Sequence, residues 1–302
     1  MLNEMNNMTF PQYIKSYFHL TSSFNRYRKT YKNYLSVMRN LMEKKFPIHA
    51  TLRNGTKVIL ENYYQAYLTS FGIMDEYKIQ NNIITIFKKN SSDIEIDLGN
   101  DNGDVYAVFF EEVYDFLPVN DEIVIDIGAN IGDSSIYFAQ KGAKKVIAVE
   151  PLPQNFQLAK KNIELNNFTD KIELLLSGCS DNQGFLTVDE NKDGAGSNLK
   201  KSTNGTKIPL ITLSDLISKY KISTAVLKLD CEGCEYDSIL TADKSILLKF
   251  THIQIEYHYG YKNLKEKLEN CGFTVTVTDP YYIKNKQAGK SMFYGYLYAK
   301  RS

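Results

Sequence analysis

The sequence has no tryptophan, only four cysteines and no long hydrophobic run in its 302 residues. Most of these shortages exclude something. No apolar stretch approaches the roughly 20 residues needed to span a bilayer, so no transmembrane segment is expected. Cys179, Cys231, Cys234 and Cys271 are too few and too scattered for a disulfide scaffold in a chain this long. They are expected to be unpaired wall residues in a reduced, cytoplasmic setting. Cys231-x-x-Cys234 lacks two further zinc ligands in sequence and lacks a thioredoxin-like context, so neither metal nor redox use is expected. The formal net charge of +1 gives no sign of a polyanionic partner. The opening Met1-Leu2-Asn3-Glu4-Met5-Asn6-Asn7 lacks the basic-then-apolar order of a signal peptide. The missing tryptophan carries no functional message.

What is present is an ordinary globular composition, 43% hydrophobic and 24% charged, with room for one large α/β domain and a smaller addition. Up to about Phe46 the pattern is helical. Tyr31, Leu35, Met38, Leu41 and Met42 recur at three- and four-residue spacings, and Pro47 ends the run. Lys15, Arg26, Arg28, Lys29, Lys32, Arg39, Lys44 and Lys45 make this segment basic, with Tyr13, Tyr17, Tyr27 and Tyr34 interleaved. A nucleic-acid or membrane-surface face would look like this. So would a helical cap whose aromatics pack inward while its charges stay in water, and that reading is preferred. Asn54-Gly55 between apolar runs predicts a hairpin, and Ile83–Phe87 and Ile94–Leu98 read as strands. The chain is therefore divided into a helical segment (1–47), a β-rich extension (48–118) and a main domain (119–302).

In the main domain strands and helices alternate. Ile123–Ile127, Lys145–Val149, Ile172–Leu176, Ala225–Leu229 and Ile253–Ile255 are the predicted buried strands. Helices are expected at Ser134–Gln140, Pro153–Asn166, Glu235–Leu240 and Leu264–Asn270. Such alternation means a Rossmann-like, mostly parallel sheet covered on both faces. Thr274–Thr278 and Tyr294–Ala299 follow without an intervening helix, so the last strand should be antiparallel. Between the third and fourth strands, Phe185–Val188 and Ile208–Ile211 flank a glycine-rich loop, Gly194-Ala195-Gly196-Ser197-Asn198. That loop is read as a cover over the site or as a plain surface hairpin.

The first strand ends in Asp126-Ile127-Gly128-Ala129-Asn130-Ile131-Gly132-Asp133. Ligands of parallel sheets bind beyond the carboxyl ends of the strands, so this turn should face one. Gly128 would let the backbone approach it, and Gly132 would let the helix start pack near the strand. The pattern is not Gly-x-Gly-x-x-Gly, and an acidic residue beside the turn would repel a dinucleotide's pyrophosphate. The ammonium and sulfonium of S-adenosylmethionine would instead be attracted by Asp126. Glu150 ends the second strand roughly 20 residues on, where an acid commonly accepts both ribose hydroxyls. Pro151 fixes the chain's exit. Ser177-Gly178-Cys179 follows the third strand, where the adenine edge should lie.

The run from Val124 to Asp133 with Glu150-Pro151, the later run Leu227-Lys228-Leu229-Asp230-Cys231-Glu232-Gly233-Cys234-Glu235-Tyr236, and Glu256-Tyr257-His258 resemble the FkbM-type methyltransferases. The resemblance covers about Asp121 to Gly272. It implies a seven-stranded class I methyltransferase fold and O-methylation of a hydroxyl on a sugar, glycolipid or polyketide-like acceptor.

The residues point to the same place for chemistry. Asp230 and Glu232 follow the fourth strand, and Glu256 and His258 follow the fifth. An alcohol is a poor nucleophile, so a base must take its proton as the new bond forms. His258 is the first choice for base and Asp230 the second, with Glu232 orienting the acceptor. The partner is expected to be a small molecule or glycan. Two other readings remain: an RNA methyltransferase recruited by the basic helix, and a non-catalytic cofactor-binding module.

Overall fold

The computed structural model describes residues 24–89, 91–99, 104–188, 205–284 and 291–301. The chain divides into two compact units, Met1–Ile94 and Glu95–Ser302.

In the first unit, helix α1 (Tyr34–Met42) is followed by the hairpin β1 (Ile48–Thr51) and β2 (Lys57–Leu60), joined through Asn54-Gly55 as expected. Helix α2 (Tyr63–Ser70) and the antiparallel pair β3 (Tyr77–Gln80) and β4 (Ile83–Ile86) complete it. The single N-terminal helix is corrected. Residues 24–30 are helical, but Tyr31 leaves the helix to bridge Leu52, and its buried hydroxyl donates to the Ala66 carbonyl at 3.1 Å. The expected apolar stripe is buried in part: Tyr31 lies in the core, and Met38 and Leu41 pack against it. Leu35 and Met42 are 65% and 77% exposed, and Val37, which the stripe leaves out, is buried at 0%. Lys15, Tyr13 and Tyr17 lie outside the described residues.

The second unit continues with β5 (Ile94–Asp97), which starts at the division, and the short helix α3 (Asp104–Phe109). Then come β6 (Ile123–Ile127), α4 (Asp133–Gln140), β7 (Lys145–Glu150), α5 (Pro153–Leu165), β8 (Ile172–Leu176) and β9 (Gly178–Cys179). After β10 (Gly184–Val188), β11 (Thr206–Ile211) and α6 (Leu213–Lys219) come β12 (Ala225–Leu229), α7 (Cys234–Leu240) and α8 (Lys244–Leu247). The unit ends with β13 (Phe250–Tyr257), α9 (Lys262–Cys271), β14 (Phe273–Val277), β15 (Tyr281–Lys284) and β16 (Ser291–Arg301). The main sheet runs β14-β16-β13-β12-β6-β7-β8, with β15 paired to β16 at its margin. Strands β6, β7, β8, β12 and β13 are parallel, and β16 lies antiparallel between β13 and β14. This is the expected Rossmann-like sheet with its last strand reversed.

The strands are runs of Val, Ile and Leu because both faces are covered. Ile125, Ile147, Leu227 and Ile253 are all 0% exposed and share one core. Sequence order reverses between β6 and β12: the chain goes outward from β6 to β7 and β8, then returns to β12 on the other side. The loops after β6 and β12 therefore leave the sheet side by side at a switch point, where a crevice forms. Of the insertion, β10 and β11 form the expected antiparallel hairpin. The loop Gly194–Asn198 lies outside the described residues.

Candidate active site

The turn after β6 is shaped by the neighbouring strand end. Gly128 has φ +82°, and a Cβ there would lie 1.8 Å from the Asp230 carbonyl oxygen. The glycine is thus required by the backbone after β12, in addition to any ligand. Gly132 caps α4 in the left-handed region, and its Cβ would meet Ala159 of α5 at 3.2 Å. It admits a helix–helix contact, where the sequence suggests helix against strand. Asn130 is also left-handed, at φ +47°. Its side chain donates to Asp104 Oδ2 and accepts from Asn155 Nδ2, both at 2.9 Å, tying α3 and α5 to the turn. Asp133 is buried in the first turn of α4.

Asp126 is turned inward. It is 0% exposed, and its Oδ2 accepts from Ser134 and Ser135 hydroxyls at 2.7 and 2.6 Å. Its Oδ1 lies 3.1 Å from Nζ of Lys228, a lysine buried in the middle of β12. Lys228 also donates to the Gly128 carbonyl at 2.7 Å. Burial pulls the Lys228 ammonium down, but the Asp126 and Asp230 carboxylates outweigh it and hold it charged. The pair sits in one rung of the sheet, where Asp126, Lys228 and Gln254 are aligned across β6, β12 and β13. Asp126 thereby braces the turn from below.

Glu150 closes the turn from the next strand. Its Oε2 accepts from the Asn130 amide and its Oε1 from the Leu152 amide, each at 2.9 Å. Burial pushes its carboxyl up to about 7, against the pull of these amides and of Lys228. Pro151 follows, half-buried. Ser177 donates to the Pro209 carbonyl at 2.7 Å, and Gly178 and Cys179 form β9 against β11. The Cys179 thiol is inside the core, where the Ser238 hydroxyl lies 3.2 Å away and burial raises it to about 11.

Across the switch point, the residues after β12 and at the end of β13 meet. His258 is 3% exposed. Its Nδ1 is 2.8 Å from Glu235 Oε1, which also accepts the His258 amide at 3.2 Å. A carboxylate can only accept, so Nδ1 carries the proton. Glu235 Oε2 accepts from the Gly233 amide at 2.8 Å, holding the loop itself. On the other edge of the ring, Nε2 faces Asp230 at 3.8 Å and Glu232 at 3.6 Å. Burial pulls the imidazole down, but the bond to Glu235 and the charges of Glu235, Asp230 and Glu232 raise it to about 10. Burial and Asp230 push the Glu256 carboxyl to about 8, while His258 and a hydrogen bond from Tyr296 oppose the rise. The four predicted residues Asp230, Glu232, Glu256 and His258 are brought together.

One expectation is overturned here. Cys231 and Cys234 are joined as a disulfide, because Glu232 and Gly233 both adopt positive φ and fold the loop until the two Cα atoms are 5.5 Å apart. Cys179 and Cys271 remain buried thiols.

Sequence reasoning missed Lys228 and Glu235. Lys228 carried a signal: a lone lysine inside an apolar strand one sheet position from a buried aspartate. Glu235 carried none, since it reads as an ordinary acid in the first turn of α7. Asp104 and Asn155, the partners of Asn130, were equally silent.

Residues 126–275 match the family described as the methyltransferase FkbM domain. A relative named Methyltransferase 1, from Beauveria bassiana, is 26% identical over 203 residues, covering 57% of this chain and 81% of its own. Protein arginine N-methyltransferase 1 of Saccharomyces cerevisiae is 46% identical over 55 residues, 18% of this chain and 16% of its own. A crystal structure of methyltransferase FkbM from Methylobacillus flagellatus aligns at 17% identity and a TM-score of 0.43. It covers 65% of this chain, which in turn spans only 47% of that one. No helix among the described residues is long and apolar enough to cross a membrane. Over residues 126–275 the chain belongs with the methyltransferase FkbM domain family.

Proposed function

We propose that this protein transfers a methyl group from S-adenosylmethionine to a hydroxyl oxygen on a small acceptor, a sugar or glycolipid being the expected kind. The observation that carries the reading is His258, clamped by Glu235 on one edge and facing Asp230 and Glu232 with the other, beside the glycine turn. The residues at the turn fit the cofactor. Each Glu150 oxygen accepts one backbone amide, which leaves a lone pair on each for a ribose hydroxyl. Gly128 and Asn130 present backbone at the strand ends, held by Asp126, Asp104 and Asn155. Asp126, buried and paired with Lys228, contributes by bracing the turn. When bound, S-adenosylmethionine supplies an electrophilic methyl group on a sulfonium.

The chain's own residues then have two tasks. The acceptor oxygen must be held in line with that methyl group, and its proton must be removed as the bond forms. Asp230, whose side chain is 28% exposed at the strand end, is placed to accept the proton. His258 is held as an imidazolium among the carboxylates, so its part is to fix the acceptor oxygen and its neighbours. This revises the assignment made from sequence, in which His258 is the base.

The test is to incubate the full chain with methyl-labelled S-adenosylmethionine and a panel of hydroxylated glycans, lipids and cell extract. Label should appear in a base-stable methyl ether, and Asp230→Asn should slow transfer by roughly a hundredfold or more. Label on nitrogen, or no transfer with any acceptor, would overturn the reading.

A further inference from the structure

We propose that Asp230, Glu256 and His258 together bind a divalent metal cation of the Mn2+ kind. The inference rests on the reading of this pocket as the acceptor site and names the cofactor that activates the hydroxyl there. One carboxylate oxygen from Asp230, one from Glu256 and a ring nitrogen of His258 all lie within 4.8 Å of one another. His258 Nε2 to Asp230 Oδ1 is 3.8 Å, too long for a hydrogen bond. Ligand bonds of about 2.1 Å place two ligands of one octahedral cation roughly 3 Å apart when adjacent and about 4.2 Å when opposite. The 3.8 Å pair falls in that range, and the 4.8 Å limit on the others exceeds it, so the cluster contracts on binding.

A second observation is independent of the acids. His258 is 3% exposed, spends Nδ1 on Glu235 and makes no hydrogen bond through Nε2, which points into the cluster. A carboxylate behind the ring is the arrangement that fixes a metal-binding histidine. It keeps a proton on the far nitrogen, so a cation that displaces the Nε2 proton of the imidazolium finds that nitrogen already oriented. Among the described residues neither Asp230 nor Glu256 forms an ion pair with a lysine or arginine. The cations near them are the His258 imidazolium and Lys228, and Lys228 is already paired with Asp126. One imidazole with two carboxylates is a mixed, oxygen-rich set, suited to Mn2+ more than to the soft metals that favour thiolates.

The chemistry explains what such an ion would add. A carboxylate is a weak base for an alcohol, and a cation that binds the acceptor hydroxyl makes it acidic. With Asp230 engaged as a ligand, the proton passes to Glu232. That acid lies 3.6 Å from the same ring nitrogen, and its side chain is 32% exposed to water. The ligands come from the ends of two strands, which is why no metal spacing is visible along the sequence.

Paramagnetic resonance of Mn2+ titrated into the full, chelator-treated chain, without cofactor or acceptor, tests this directly. The expected result is about one bound Mn2+ per chain at micromolar affinity, displaced by excess Mg2+. Asp230→Asn, Glu256→Gln and His258→Gln should each weaken it at least roughly tenfold. Glu266→Gln, on the exposed face of α9, should leave it unchanged. Circular dichroism identifies any variant that fails to fold, and the remaining ligand variants then decide. No binding by folded wild type up to about 1 mM Mn2+ would overturn the proposal. So would binding that survives in folded ligand variants. Full-rate hydroxyl methylation by the chelated protein, with no Mn2+ bound, would remove the ion and leave the methyl-transfer reading standing. Mn2+ bound at these ligands with label landing on nitrogen would do the reverse.

Discussion

The two sides of the switch point are built on opposite principles. At the ends of β6 and β7, the acids Asp126 and Glu150 are buried and matched by groups of the same unit: Lys228, two serine hydroxyls and two backbone amides. At the ends of β12 and β13, Asp230 and Glu232 face one imidazole at 3.8 and 3.6 Å, beyond hydrogen bonding, and Glu256 lies in the same cluster. The first side is finished without a ligand, and the second gathers more negative charge than its own residues offset. A rigid cofactor cradle gains from being preorganised, whereas a reaction site needs groups whose best partner is yet to arrive.

That contrast can be broken most severely at Gly128. Gly128→Ala puts a methyl group against the Asp230 carbonyl from a left-handed backbone. It should cost roughly 4 kcal/mol or more of stability and abolish methyl transfer, because it spreads both sides at once. Denaturant unfolding and a transfer assay would measure this, and a fully stable variant would show that the turn is looser than described.

Next in size is the buried pair. Asp126→Asn leaves Lys228 charged and unmatched inside the sheet, and should cost about 3 kcal/mol by urea unfolding. Adding Lys228→Met should restore much of that loss while leaving transfer impaired. If the double variant is no more stable than the single one, Asp126 is not acting through Lys228.

A smaller effect is expected at Glu150. Glu150→Ala should weaken S-adenosylhomocysteine binding by about 2 kcal/mol, roughly 30-fold, by removing the acceptor for the ribose hydroxyls. The smallest effect is its pH dependence. Glu150 keeps its proton until about 7, and the ionised form is the better acceptor. Affinity should therefore rise as pH climbs from about 6 to about 8, by about tenfold in all, and should be flat in Glu150→Gln. Calorimetry across that range checks both.

What was legible in the sequence follows the same division. The turn from Asp126 to Asp133 and the acid at Glu150 are short-range signals, each at the end of one apolar strand, so their place could be read directly. The sheet order and the reversed last strand followed from strand–helix alternation and the missing final helix. The reasons for the glycines were not legible, because Gly128 answers to Asp230 and Gly132 to Ala159, both from other elements. Glu235 and the disulfide between Cys231 and Cys234 depend on how the loop after β12 folds, through positive φ at Glu232 and Gly233. The N-terminal stripe was legible in part. Tyr31, Met38 and Leu41 do meet the core, but Leu35 and Met42 satisfy the same helical period and lie at its exposed margin, while Val37 takes a buried place.

The proposed O-methyl transfer requires first that the β6 turn and Glu150 hold S-adenosylmethionine. Calorimetric titration of the full chain with S-adenosylhomocysteine, with NADH as the comparison ligand, tests it most directly. The prediction is one site per chain for S-adenosylhomocysteine, weakened in Glu150→Ala, and no heat with NADH. Folded protein that ignores S-adenosylhomocysteine, or that prefers NADH, would contradict it.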